Sequence, residues 1–202
     1  MKKSISVLLI AILMITLAAC GDGMQDGQDG IYRKFHAMQN YMAEVEVTVY
    51  GNKGNAIYTM RQFYEEPDRF RCEVLNDAGE TENVFVSDGE KTKIQSIKFG
   101  SRTIADVQEQ MDYMSVNEFF THYFMDGDAA AETAADSSED ILLKLGDSSG
   151  RYRFSQNLWI DEKSLMPKRL VTFDRDGGES LSVVFHSFVI NHKDFNADFS
   201  VE

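Results

Sequence analysis

"YMAEVEVTVYGNKGNAIYTMRQFY", Tyr41 to Tyr64, alternates apolar and polar side chains on both sides of a run of turn residues. Tyr41, Ala43, Val45, Val47 and Val49 fall on one face of an extended chain; Met42, Glu44, Glu46 and Thr48 fall on the other. Gly51-Asn52-Lys53-Gly54-Asn55 is turn chemistry, and the alternation resumes from Ala56 to Tyr64, so the stretch predicts a β-hairpin with one buried face. The same period recurs in Arg69–Leu75, Glu82–Ser87, Lys91–Phe99, Ile141–Leu145, Tyr152–Ile160, Lys168–Asp174 and Ser180–Ile190. Between these runs lie Asn76-Asp77-Ala78-Gly79, Asp88-Gly89, Gly146 to Gly150, Met166-Pro167 and Asp176-Gly177-Gly178, all of them breakers. Short connections between alternating strands make neighbours antiparallel. The predicted fold class is mainly β with α, built on one large, curved antiparallel sheet.

A sheet with one apolar face needs a cover, and two segments switch to the helical period. Ile31, Phe35 and Met38 predict a short helix over 31–39. Ile104, Val107, Met111 and Met114 make a second apolar stripe, so helical cover is expected over 104–125. Ser115-Val116-Asn117-Glu118 has the form of a capping box. After it Val116, Phe119, Phe120, Tyr123 and Phe124 fall at i, i+3, i+4, i+7 and i+8. These five are the candidate apolar ligand or partner surface. They either plug the inner face of the sheet or form a lid over a pocket, with Phe119 or Tyr123 expected at the edge. Asp126 to Asp140, "DGDAAAETAADSSED", is acidic and low in complexity and reads as a mobile surface loop.

Ahead of the domain, Lys2 and Lys3 precede an apolar run from Val7 to Leu17, the layout of a secretory signal over residues 1–19. The run ends in Leu17-Ala18-Ala19-Cys20, which resembles the bacterial lipobox. That resemblance implies a diacylglyceryl group on Cys20 and attachment to the extracytoplasmic face of the cell membrane through the lipid. Residues 20–30 hold four glycines and three aspartates, a composition that predicts a flexible tether. Their aspartate spacing lacks the alternate-residue ligands of an EF-hand loop. Residues 31–202 then read as a single domain.

The 202-residue chain has a formal charge of −13, which becomes −15 once Lys2 and Lys3 leave with the signal. So acidic a chain is a poor match for nucleic acid or for lying flat on anionic lipid. With Cys20 lipidated only Cys72 remains, flanked by Phe70, Arg71, Glu73 and Val74, and it reads as a buried inert thiol. His36, His122, His186 and His192 have no metal-ligand spacing, and neither a phosphate loop nor a Gly-x-Ser-x-Gly elbow is present. No catalytic residue, metal or cofactor beyond the lipid on Cys20 is expected. Arg69 and Arg71 straddle Phe70 on a strand and should share a solvated ion-pair face.

Four phrases then combine: "EEPDRFRCEV" (Glu65–Val74), "VFVSDGEK" (Val84–Lys91), "SLMPKRL" (Ser164–Leu170) and "FNADFSV" (Phe195–Val201). Pro67 suits a strand boundary because it lacks a ladder donor. Asp88-Gly89 suits a two-residue hairpin turn. In order and spacing the phrases resemble the LolA/LolB-like lipoprotein carriers over residues 41–202. Together with the lipobox they look most like the GerS-like germination lipoproteins of clostridia. The resemblance implies a half-open antiparallel barrel covered by two or three helices. It also implies a non-enzymatic lipoprotein that binds and regulates an exported partner, such as an N-acetylmuramoyl-L-alanine amidase of the spore cortex. The other branch of the family implies a carrier or sensor of lipid acyl chains held in the half-barrel. A flexible lead before an open sheet edge leaves a dimer, by exchange of strands or of the first helix, open to this chain.

Overall fold

A computed structural model describes residues 22–106, 113–125, 129–135, 140–146 and 155–200. The signal segment, Cys20, Val107 and Met111 lie outside these residues. Helix α1 (Asp22–His36) leads into β1 (Asn40–Val49), β2 (Ala56–Glu65), β3 (Arg69–Leu75), β4 (Thr81–Ser87), β5 (Lys91–Ser96) and β6 (Ser101–Asp106). Helix α2 (Val116–Met125) precedes β7 (Ala130–Thr133), β8 (Asp140–Leu145), β9 (Ser155–Asp161), β10 (Pro167–Phe173) and β11 (Glu179–Ile190). The eleven strands of the described residues form one open sheet in the order β6-β5-β4-β3-β2-β1-β11-β10-β9-β8-β7. The expected fold class holds: the sheet is antiparallel throughout, unclosed, and covered by helices on one face. Two meanders, each introduced by a helix, meet along a single seam where β1 pairs with β11 from Tyr41↔Ile190 to Val49↔Leu181.

The alternation that opened the sequence becomes the core. β1 is buried at every second position, Tyr41, Ala43, Val45 and Val47, as the period of two requires. The same face takes Met60 and Tyr64 from β2, Phe70 and Cys72 from β3, and Leu143, Leu158, Ile160, Leu170 and Val183 from the other meander. Cys72 is indeed buried, its Sγ 3.4 Å from Met60 Sδ, and burial followed by the charge of Glu73 pushes its pKa up to about 12. The thiol stays protonated and unreactive.

The opposite face of β2–β5 is strapped by the end of the chain. Phe199, with Phe195 and Ala197, packs on Val84, Val86 and Phe63. Arg71 Nη1 donates to Asp198 O at 3.0 Å, and Lys93 Nζ donates to Ser200 O. The Arg69 guanidinium lies 5.5 Å above the Phe199 ring. Arg69 also pairs with Glu65 (2.6 Å) and Arg71 with Glu73 (2.8 Å), so the two arginines share the ion-pair face that their spacing predicted. Several hairpins are closed by a side-chain carboxylate or amide that accepts from backbone N–H groups ahead of it: Asn76, Asp88, Asp161 and Asp174. The Asp88 turn runs to Glu90, one residue longer than expected, with Gly89 at φ 94°.

Four expectations need correction. The stretch from Asp22 to Gly30, read as a flexible tether, is the first half of α1. Its glycines serve contact: a Cβ on Gly27 would stand 3.1 Å from Ile141 Cδ1, and one on Gly30 2.9 Å from Leu165 Cδ1. Ile31 and Phe35 anchor the helix, and Arg33, Lys34 and His36 complement its C-terminal dipole. The fifth strand ends at Ser96 rather than Phe99, because Ile97–Gly100 turns with Gly100 at φ 61° and returns as β6. Ile104 therefore lies on an edge strand, exposed, and not on a helix; the described α-helix of that region is Val116–Met125. Within the 126–140 segment, Ala130–Thr133 is strand β7, because the open edge of β8 offers it backbone partners and Lys144 pairs with Glu132 at 2.6 Å.

Candidate functional site: a cleft where the two helices meet

Helix α2 is placed by buried polar groups from both halves of the sheet. Gln62 Nε2 donates to Met114 O (3.2 Å), and Tyr41 OH donates to Gln62 Oε1 (3.4 Å) and lies 3.4 Å from Ser115 Oγ. From the other side Gln156 Nε2 donates to Tyr113 O (3.3 Å) and to Thr172 Oγ1 (3.0 Å), whose own hydroxyl donates to Tyr113 O (3.4 Å). Groups this deeply buried are costly unless paired, so the bonds hold residues 113–115 to one position. Burial also raises the Tyr41 hydroxyl above its ordinary pKa. Ser115 O accepts from Phe119 N at 3.2 Å, as the residue ahead of a helix should, while its hydroxyl faces Tyr41.

Helix α1 is set by Asn191, at φ 51° just after β11. Its Oδ1 accepts from Gln39 N (2.7 Å) and Asn40 N (3.4 Å), and its Nδ2 donates to Ala37 O (3.0 Å). One side chain thus fixes the link between α1 and β1. Asparagine tolerates this left-handed conformation better than most residues.

The five candidate residues divide. Val116 and Phe119 are fully buried and Phe120 is 3% exposed, so these three belong to the core. Phe119 is not at an edge: positions i and i+3 of this helix both point at the sheet. Tyr123 and Phe124 are half-buried. Phe120 stacks on Phe35 of α1 with centroids 4.0 Å apart, and Phe124 stacks on Phe120 at 5.3 Å. Phe124 then meets the edge of exposed Tyr32 at 4.9 Å, and Tyr32 stacks on His36 at 5.1 Å. A continuous ladder of rings runs from the core to the surface between the helices.

Beside that ladder opens a cleft of about 340 Å³. Its lining comes from three places: Phe35, His36 and Met38 at the end of α1; Tyr64, Glu66 and Pro67 at the β2–β3 turn; and Asn117, Phe120, Thr121 and Phe124 on α2. The Glu66–Pro67 peptide is cis, and Tyr64 OH donates to Pro67 O at 2.9 Å. Burial raises the Tyr64 hydroxyl above its usual range, helped by the charges of Asp68, Glu66 and Glu118. Glu118 is likewise raised, first by burial and then by Asp68, against the lowering influence of His122 (Nε2 to Oε2 3.9 Å) and a hydrogen bond from Asn117. The lining mixes aromatic rings with polar groups, among them the Glu66 carboxylate. Helical period pointed to Phe120 and Phe124; nothing local pointed to Tyr64, Glu66 or His36, although "EEPDRF" already marked the turn that carries two of the lining residues. Among the described residues no group of three or more His, Cys, Asp or Glu is placed to hold a metal ion. No described helix is long and apolar enough to cross a membrane.

The family described as "Sporulation protein YdcC-like" matches over residues 1–199. No curated protein sequence matches. Among solved structures the chain is similar to the complex of the CwlD amidase with the GerS lipoprotein from Clostridioides difficile. Identity there is 19%, coverage 86% of this chain and 95% of that one, and the TM-score 0.43. It is also similar to Mycobacterium tuberculosis lipoprotein LppX, at 12% identity, 87% and 94% coverage and TM-score 0.45. A LolA superfamily protein from Nitrosomonas europaea matches at 11% identity, 81% and 93% coverage and TM-score 0.40. The LolA/LolB-like resemblance read from the four sequence phrases thus recurs among the solved structures.

Proposed function

The chain belongs to the family of YdcC-like sporulation proteins, and from that premise we propose that it is a lipid-anchored, non-enzymatic regulator. In this reading Cys20 carries a diacylglyceryl group, and the domain stands on the extracytoplasmic face of the cell membrane. There it binds an exported cell-wall amidase of the spore cortex and controls its activity. Leu17-Ala18-Ala19-Cys20 after a basic and apolar lead supports the anchor. The amidase is the partner class implied by the germination-lipoprotein phrases, and the proposal rests on those phrases and the family.

The observation that carries the choice of regulator over acyl-chain carrier is the filled inner face of the sheet. Phe35, Phe119, Phe120 and Phe188 occupy with their own rings the space that a carrier of this architecture would give to its cargo. Among the described residues a small cleft opens at the rim, a shape suited to part of a partner. The test uses the organism's exported N-acetylmuramoyl-L-alanine amidase, co-expressed with the chain carrying Cys20→Ser. The variant should leave the membrane fraction, co-purify with the amidase and raise its turnover of cortex peptidoglycan. Membrane retention without Cys20 would overturn the anchor, and no effect on the amidase would overturn the partner. Lipid found in the purified chain by native mass spectrometry, with no amidase bound, would return the reading to a carrier.

A further inference from the structure

We propose that the cleft between α1, the β2–β3 turn and α2 receives one cationic side chain with an apolar stem, a lysine or arginine, from a basic segment of the protein partner. The inference deepens the proposed function and rests on its partner reading.

The shape fits such a group. Phe35, Met38, Pro67, Phe120 and Phe124 give an apolar wall along which methylenes can lie, as lysine and arginine stems do on protein surfaces. The volume, about 340 Å³, leaves room for a long side chain.

The charge fits as well. The carboxylate that lines the cleft is Glu66, with the His36 imidazole also in the lining. Asp68 and Glu118 act on the same Tyr64 hydroxyl from the β2–β3 turn and from α2, with His122 as the basic neighbour of Glu118. The nearer permanent cations are engaged elsewhere. Arg69 pairs with Glu65 and stacks on Phe199 on the outer face, and Lys34 donates to Ser164 O. Glu118, one position after the lining residue Asn117 on α2, is raised above its ordinary pKa first by burial and then by the charge of Asp68. A charge of −13 over the whole chain steers a basic segment toward it.

Met38 is a built-in reporter because it is one of the residues that line the cleft. The full chain, in detergent, is labelled at its methionine methyls, and the Met38 resonance is assigned through Met38→Leu. Pentylammonium, pentanol and pentanoate serve as probes of equal stem length. The Met38 methyl should shift on titration with pentylammonium at concentrations about tenfold below those needed for pentanol, and should ignore pentanoate. Glu66→Gln should remove most of that tenfold preference while the other methionine methyls stay in place, which shows the fold intact. An equal response to alcohol and ammonium, a response to the carboxylate, or no response to any probe overturns the proposal. Amidase retention is measured on the same samples. Retention with a silent Met38 overturns the cleft inference alone; ammonium recognition without retention supports the cleft and overturns the amidase.

Discussion

Helix α2 reaches the sheet with rings, burying Val116, Phe119 and Phe120, whereas the first half of α1 reaches it with glycines. Gly27 and Gly30 let the α1 backbone lie so close to Ile141 and Leu165 that any side chain larger than a methyl would press on them. Both helices cover the same face. One fills space with side-chain volume and the other removes space by approach, so the two should answer to mutation in opposite directions. Ring-filled contact fails when volume is taken away; glycine-filled contact fails when volume is added.

The largest effect is expected from taking volume. Phe120→Ala removes a ring stacked between Phe35 and Phe124 and should cost about 3–5 kcal/mol in denaturant unfolding. Tyr123→Ala on the same helix, at a half-buried position, should cost about 1 kcal/mol or less. Equal costs at the two positions would erase the distinction between core and rim on α2.

Adding volume to α1 comes next. Gly30→Val should cost about 1–3 kcal/mol, because the branched side chain meets Leu165 without room to turn. Gly30→Ala should be close to neutral. Its single Cβ meets only the end of the flexible Leu165 side chain, and the helix gains about 1 kcal/mol of intrinsic propensity. A valine tolerated as well as alanine would show that α1 does not pack closely there.

The smallest effect is electrostatic and belongs to the rim. Glu118 is raised above its ordinary value of 4.5 in the folded chain, mainly by burial. The fold therefore favours the protonated acid, and the ionised form weakens it at every pH above the folded value. Glu118→Gln should accordingly be more stable than the parent at neutral pH. That advantage should shrink as pH falls through the folded value and vanish below 4.5, where the parent is protonated in both states. Unfolding midpoints of the two proteins across this range check the sign; an advantage that grows on acidification would reverse it.

The same contrast explains what could be read in the sequence. A period of two is a long-range signal repeated by each buried strand, so β1–β5 and β8–β11 were legible from alternation alone. The two strands that were missed, β6 and β7, are the two edges of the sheet. An edge strand has one neighbour and little to bury, so Ser101–Asp106 and Ala130–Thr133 carry no strong alternation, and Ile104 fitted a helical stripe equally well. The rings of α2 announced themselves. The glycines of α1 did not, because Gly and Asp have the same composition in a tether and in a close contact. The cleft was illegible for a third reason: Phe35, Glu66 and Phe120 are far apart in the chain, and only the folded sheet brings them to one place.

The seam between β1 and β11 imposes an order of events on the growing polypeptide. From the N-terminus onward, β1 to β6 can zip up as successive local hairpins while synthesis continues. The far side of β1 must wait, because its partner is the last of the described strands, ending at Ile190. Asn191, which clamps the link between α1 and β1, comes directly after it. Helix α1 is thus locked down only by a residue made after every described strand. A nascent chain cut short anywhere before β11 keeps an open apolar strand at what should be the middle of its sheet.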